Sequence, residues 1–410
     1  MKKLAIVGSG ISGLSAAYLL NQKFDITMYE ANSTLGGHTN TVLTPENVAV
    51  DTGFIVFNEK NYPNFCNFID QLGVESIESD MSFAYFDRLK NRGYSSDFPS
   101  GLFSTRGHLL SPSFYHFLYQ ITRFNKIAKA EIRNMDHTMT ILDFLKKHGF
   151  SQRLIDEYVI PMGAAIWSTS QNDTYQFPAK SFISFWENHC LLQILDRPKW
   201  RTIAGGSKKY IDALIKKINL NYFVNHPIYN IKRESNNVIL YGPNGAQDMY
   251  DGVVIATHAD QALNMIESPT QLEQSTLGKW QYSKNHTTLH TSTKGLPANQ
   301  SGWASWIYTR ENDNTMSATY WMNRLQSLPS NTHHFVTLNP THDIPKKNQL
   351  YTTLNEHPMM TQPAISTQRD LPKLNGINNT YFCGSYFGHG FHEDGISAAV
   401  EVGKALGCYL

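Results

Sequence analysis

The sequence predicts a doubly wound α/β domain interrupted by a second, mixed α+β domain. Three observations carry this: a strand–helix–strand pattern within the first 30 residues, the return of that texture in two later stretches, and long aromatic-rich segments between them. Lys3–Val7 reads as a short buried strand, 13–22 as a helix rich in Ala and Leu, and 25–30 as a second strand ending in an acid. Aliphatic and β-branched strands alternating with helices belong to parallel sheets covered on both faces.

From about residue 82 to 200 the texture changes, and the stretch 109–121 spaces its apolar residues three and four apart, as an amphipathic helix does. The α/β texture returns at Gly205-Gly206, with a helix over Lys208–Ile218, strands near 227–231 and over Val238–Tyr241, and a buried run at 252–256. Between about 259 and 371 the chain is mixed again, with Trp303, Trp306 and Trp321 in strand-like surroundings. The tail repeats strand, turn and helix: 380–383, then 396–406 closed by Gly407. The expected division is one discontinuous domain from 1–81, 201–265 and 371–410, and a second from 82–200 and 266–370.

A chain of 410 residues fits about two to three domains. Charged residues are 17%, against roughly 25% in average proteins, and 35 Lys+Arg nearly cancel 34 Asp+Glu. No global charge therefore selects nucleic acid or an anionic membrane. The 7 Trp, 21 Tyr and 22 Phe exceed what a wet surface holds, so most must line a core or a pocket. Cys66, Cys190, Cys383 and Cys408 are far apart, without the spacing of a metal site, which suits a reducing compartment and no metal. Met1-Lys2-Lys3 and the apolar residues after it imitate a secretory signal, but the glycines at 8, 10 and 13 have their own explanation and no small-residue cleavage pattern follows. No apolar run approaches the ~18 residues of a spanning helix. The expectation is a cytoplasmic protein, with peripheral membrane contact left open and the oligomeric state unspecified.

Gly8-Ser9-Gly10-Ile11-Ser12-Gly13 is G-x-G-x-x-G after a strand and opening a helix. Gly8 makes the tight turn, Gly10 admits a pyrophosphate close to backbone N–H groups, and Gly13 lets helix and strand pack closely. Phosphate charge then sits at the positive end of the helix. Glu30, 17 residues past Gly13, stands where an acid accepts from ribose hydroxyls. A second glycine pair follows in Leu35-Gly36-Gly37-His38-Thr39, which a plain NAD domain does not need.

With that pair the sequence resembles the flavin-containing amine oxidase superfamily (amine oxidase, protoporphyrinogen oxidase and carotenoid desaturase-like proteins), whose Gly-Gly turn runs beside the FAD pyrophosphate and usually ends in Arg. Here His38 replaces that Arg, and a neutral His donates one hydrogen bond rather than five. Asp51-Thr52-Gly53-Phe54 resembles the segment passing near the flavin; Ile203-Ala204-Gly205-Gly206 resembles the second Gly-Gly, and 227–231 the strand whose backbone holds the adenine. Residues 381–385 and 390–399 resemble the C-terminal flavin segment, most closely that of a bacterial subgroup of predicted NAD/FAD-binding proteins associated with cyclopropane-fatty-acid-synthase-type enzymes. The resemblance implies non-covalent FAD held by Gly8, Gly10, Ile11, Ser12 and Gly13; by Glu30 and Ala31; by Gly36, Gly37, His38 and Thr39; and by Thr52, Gly53 and Phe54. It further implies contacts from Ile228, Ala256 and Thr257, and from Gly384, Ser385, Glu393, Asp394, Gly395 and Ile396. A helix beginning near Asp394 would aim N–H groups at a reduced flavin, and Asp is also a favoured N-cap.

No catalytic acid or base stands out; His389, His392 and His290 are the candidates, each with an ordinary structural reading as well. Relatives carry a lysine near flavin N5, but Lys279, Lys284 and Lys294 fall out of register on the strand that would supply it. Cys383 before a glycine reads as a small packed side chain rather than a flavin attachment point. The leading expectation is an FAD-dependent oxidoreductase moving a hydride from a substrate C–H to flavin N5, on a small hydrophobic, lipid-like substrate. The alternatives are an amine oxidase yielding an imine and hydrogen peroxide, a non-catalytic protein binding a lipid or partner on the same fold, a flavin-dependent isomerase, and a plain NAD dehydrogenase. The aromatic segments accordingly read as core, as a cage around an ammonium, or as a tunnel for a chain.

Overall fold

A computed structural model describes residues 1–136, 138–193, 198–311 and 316–410. Its first strand, Lys3–Val7, is central to a five-stranded, all-parallel sheet in the order 380–382, 252–255, 3–7, 25–29, 221–223. Leu4, Ala5, Ile6 and Val7 are all buried, which is why this strand reads as a continuous apolar run. Leu4 and Ile6 join a core with Leu14, Leu19, Phe65, Leu214 and Ile396 from four helices. Ala5 and Val7 join another with Ile231, Val238 and Leu240. A three-stranded antiparallel sheet, Asn230–Arg233, Val238–Tyr241 and Gln247–Tyr250, therefore covers the second face in place of helices.

The helix Ile11–Leu20 buries every residue but Tyr18, so its Ala- and Leu-rich composition reflects burial all round. It begins at Ile11 rather than 13 because Gly10 already serves as its N-cap. The C-terminal helix spans His392–Ala405, starting earlier than its apolar residues suggest: a Cβ on Gly395 would lie 2.7 Å from Ser12 Oγ and 2.8 Å from Ile11 Cγ2, so this glycine marks a close helix crossing inside the helix. The strand expected near 227–231 lies at Asn230–Arg233.

A seven-stranded sheet runs in the order 349–358, 282–290, 335–338, 316–321, 306–310, 83–87, 92–95, antiparallel except where Trp306–Arg310 pairs with Phe83–Asp87. Helices lie against it. The expected helix at 109–121 is Pro112–Glu131: Ser111 accepts from the Phe114 N–H and Pro112 takes the first turn, leaving Leu109 and Leu110 exposed outside it. Phe114, Phe117, Phe124, Phe144, Phe182 and Trp186 are each at most 1% exposed, so these rings are core. Trp303 lies just outside the strands, whereas Trp306 opens one and Trp321 closes another. No described helix is long and apolar enough to cross a membrane.

Asp51 joins the two sheet systems. Its fully buried carboxylate accepts from the Ser207 N–H at 2.9 and 3.0 Å, Ser207 Oγ at 2.8 Å, Thr41 Oγ1 at 2.5 Å and Gln326 Nε2 at 2.7 Å. The Asp51 N–H returns a bond to Gln326 Oε1 at 2.9 Å. Burial pushes this carboxyl up to about 6 against those bonds. A raised acid stabilises the fold fully below its unfolded value, 3.8, and that contribution fades as pH rises through about 6. Asp51→Ala strands several buried donors and should lower unfolding free energy by about 3 kcal/mol. Denaturant titrations should find the loss larger at pH 5 than at pH 7; an equal loss at both would show that Asp51 is ionised throughout.

Candidate cofactor cleft

The glycine turn has the geometry its spacing suggests. Gly8 has φ +99°, and a Cβ there would lie 2.7 Å from the Ala256 carbonyl; on Gly13 it would lie 1.9 Å from the Gly8 carbonyl. Protein backbone alone thus excludes a side chain at these two positions. Gly10 differs, since its φ of −65° suits any residue and a Cβ would meet no protein atom within 4 Å. The space beside it lies at the helix N-terminus, where first-turn N–H groups lack intrahelical acceptors.

The second glycine pair closes this space. The Gly36 N–H donates to the Ser9 carbonyl and to Ser9 Oγ, each at 3.1 Å, and a Cβ on Gly37 would lie 3.1 Å from Gly10 Cα. Glu30 is buried, but its carboxylate is already engaged: Oε2 accepts from the Ser9 N–H at 3.0 Å and Ser9 Oγ at 2.5 Å, Oε1 from Asn32 N and Nδ2 at 2.9 Å each. Glu30 therefore braces the turn through Ser9, a residue sequence reasoning passed over. Ala31 is exposed at the strand end, and Ile11 and Ser12 are buried beneath the turn.

The segment 51–54 lies on the His38 backbone: the Phe54 N–H donates to the His38 carbonyl at 2.9 Å, and a Cβ on Gly53 would lie 1.9 Å from that oxygen. Thr52 is buried and pairs with Asn40. Phe54 stacks on His392, ring centroids 3.6 Å apart, and His392 Nε2 lies 3.0 Å from Thr39 Oγ1, which also bonds Tyr210. Ala256 and Thr257 flank Gly8 at the end of their strand. Two expected contacts belong to cores by their side chains: Ile228 packs with Ile231 and Val238, and Ile396 with Leu4 and Leu14.

In the C-terminal segment, Ser385 opens a short 3-10 turn after Gly384, and its carbonyl accepts from the Gly388 and Gly390 N–H groups at 3.1 Å. Glu393 is turned to another task, accepting from the Asn64 N–H at 3.1 Å and the Phe65 N–H at 3.0 Å at the start of helix Pro63–Leu72. Asp394 is not the N-cap; it sits in the first turn and accepts from the Phe391 N–H at 2.9 Å, with burial raising its carboxyl to about 6. Beside this turn lies a cavity of about 720 Å³ with walls from Lys60, Phe185, His189, His389, Phe391 and Glu393. The Phe185 and Phe391 rings stack there at 4.8 Å, and the His389 carbonyl accepts from Trp167 Nε1 at 3.3 Å.

The three catalytic candidates separate. His389 is at the cavity wall and His392 in the cleft. His290 lies elsewhere, bonded to Thr337 Oγ1 at 2.7 Å and beside Phe335, which packs with Trp303 and Ile307. Strand alternation puts it on the opposite sheet face from Asn285. Lys284 is exposed and faces Glu356 at 3.9 Å, out of the cleft. The strand instead brings Asn285 to His357 Nδ1 at 3.0 Å, and the His357 ring lies 5.2 Å from that of His38. His258 completes this wall, 6.3 Å from His38 and stacked on Tyr282 at 4.1 Å.

Burial lowers ten histidines among the described residues, including His38, His189 and His290 to about 4 and His357 to about 3. A depressed histidine stabilises the fold above its unfolded value, 6.5, and loses that contribution as pH falls toward the folded value. These outnumber Asp51 and Asp394, which act oppositely. Melting temperature should therefore fall between about pH 7 and 5, less steeply in His290→Gln; a rise over that interval would contradict neutral burial.

Comparison with known proteins agrees with this geometry. The model of the flavin containing amine oxidoreductase family matches residues 11–338. Prenylcysteine oxidase 1 from Pongo abelii is 22% identical over 303 residues, which are 64% of this chain and 57% of that protein; the chain thus spans just over half the length of this curated relative. Cyclohexylamine oxidase from Brevibacterium oxydans IH-35A shares the fold with a TM-score of 0.71 at 15% identity, covering 99% of each chain. A CLA-producing fatty acid isomerase from P. acnes does so with a TM-score of 0.67 at 13% identity, covering 97% of each. With four-fifths of its length matched by the family model, and a parallel sheet carrying the glycine turn, the chain belongs to the flavin-containing amine oxidoreductase family.

Proposed function

We propose that this chain is an FAD-dependent oxidoreductase acting on a small hydrophobic, lipid-like substrate, with the dinucleotide bound non-covalently in the cleft described above. The observation that carries this reading is Gly10, whose lack of a side chain neither its backbone angles nor its protein neighbours explain. A phosphate at the helix N-terminus explains it. When bound, the flavin supplies an acceptor for a hydride from a substrate C–H. The residues position and shield: Gly36 and Gly37 wall the phosphate space, 51–54 and the first turn of His392–Ala405 border the continuation of the cleft, and the seven-stranded sheet with its helices covers it. On this reading 1–81, 201–265 and 371–410 form the cofactor domain, and 82–200 with 266–370 the substrate domain.

Non-covalent binding is supported by Cys383, a fully buried thiol that burial pushes up to about 12, which leaves it a poor nucleophile. All four cysteines are free, in keeping with a reducing compartment. The lipid-like substrate is favoured by the aromatic side of the 720 Å³ cavity at Phe185 and Phe391. The names of prenylcysteine oxidase 1 and the fatty acid isomerase point the same way, and that of cyclohexylamine oxidase toward amines.

Gly10→Val should lower FAD occupancy more than about tenfold while the deflavinated chain melts near the wild-type temperature, since the added methyls enter open space. Unchanged flavin content would remove the basis of the assignment. Anaerobic bleaching of the flavin band by an isoprenoid thioether or long-chain acid, and not by simple alkylamines, is the expected substrate result; the reverse selectivity would establish an amine oxidase.

A further inference from the structure

The wall of the phosphate space carries histidines, and their hydrogen bonds give them unlike capacities. A chain of amides fixes His357. The His286 N–H donates to Asn339 Oδ1 at 3.0 Å, so the other end of that amide, Nδ2, donates to Asn285 Oδ1 at 2.7 Å. Asn285 Nδ2 is thereby turned to His357 and donates to its Nδ1 at 3.0 Å. A backbone N–H cannot reverse, so His357 Nδ1 must remain an acceptor and its proton must reside on Nε2. Protonating Nδ1 would set two donors against each other. His357 is a neutral donor by construction.

His38 is the converse. Its Nε2 is buried without a hydrogen-bond partner, and the Glu356 backbone carbonyl lies near the ring. No hydrogen bond therefore fixes the state of His38 Nε2, in contrast to His357 Nδ1. The residue follows Gly37, whose Cα stands against Gly10 beside the helix N-terminus. The titratable and charged groups around it are His258 and His357, the Glu356 carboxylate and His392. Glu356 lies 3.5 Å from His258 and 3.9 Å from Lys284, and Asp260 is near His258. His392 Nε2 is already shared with Thr39 Oγ1.

We propose that His38 is the side chain of this cleft that takes up a proton when the dinucleotide phosphates enter, with His357 as the fixed neutral donor beside it. This rests on the reading that the glycine turn holds FAD. A proton from solvent adds to the neutral ring, and the resulting imidazolium offsets the phosphate charge. In the free protein burial holds His38 at about 4, so binding that raises it makes affinity fall as pH rises, by up to about tenfold per unit.

The test measures FAD affinity of the deflavinated full chain by flavin fluorescence between about pH 5 and 8, with calorimetry in two buffers of different ionisation enthalpy. Expected are a dissociation constant rising with pH, proton uptake approaching one per FAD, and loss of both in His38→Arg, whose fixed charge keeps affinity high at every pH. His38→Asn should bind weakly without pH dependence, and His357→Gln should weaken binding while keeping the slope. Wild-type binding without pH dependence or uptake would overturn the proposal and leave the cofactor reading intact; a slope that persists in both His38 variants would overturn it too. Failure of the wild-type chain to bind FAD at all would overturn both.

Discussion

One buried carboxylate organises the junction on which the cleft depends. Asp51 lies two residues before the Gly53 that presses on the His38 carbonyl, and it holds the Ser207 N–H just after the Gly205-Gly206 turn. Through Gln326 it also reaches the end of the seven-stranded sheet system. Three segments distant in sequence thus meet at one acceptor with no cation among its bonded partners. The arrangement works because every lone pair facing protein has a donor; the same burial makes the loss of any member costly.

Acids bonded without a cation recur around the cleft. Glu30 is satisfied by backbone and neutral side chains, and Glu393 caps another helix. Around the cleft these acids meet backbone N–H groups and the side chains of Ser, Thr, Asn and Gln, whereas elsewhere buried Glu157 and Glu273 are paired with arginines. Such networks have directions set by backbone N–H groups, which is how an amide chain starting at His286 can decide the tautomer of His357. They also leave few fixed positive charges in the cleft, so that helix N-termini and histidines must meet an anionic ligand.

Much of the geometry of the glycine turns was legible in the sequence, because it rests on few contacts. Gly13 is needed by a contact within one strand–turn–helix unit and Gly8 by its positive φ and the neighbouring strand's Ala256, and spacing identifies both. The second glycine pair and Gly53 were legible through resemblance, and their packing on Ser9, Gly10 and His38 follows from short connections. What could not be read depends on pairings between distant strands. His357 reaches the cleft only because 349–358 pairs with 282–290, which places Ser283 opposite His357 and Asn285 two residues along. Conversely, His290 looked available but strand alternation turns it to the far face. Glu30 and Glu393 were identified as acids in the right neighbourhood, yet which donors they meet was set by tertiary contacts that composition does not encode.

On the proposed reading the space beside Gly10 holds FAD without a covalent bond. The most direct test is the visible absorption spectrum of the purified full-length chain, recorded before and after denaturation and filtration. Flavin bands are expected in the native protein, and stoichiometric FAD in the filtrate once the chain unfolds. A colourless protein that no added FAD can restore, or a flavin that stays with the unfolded chain, would contradict that reading.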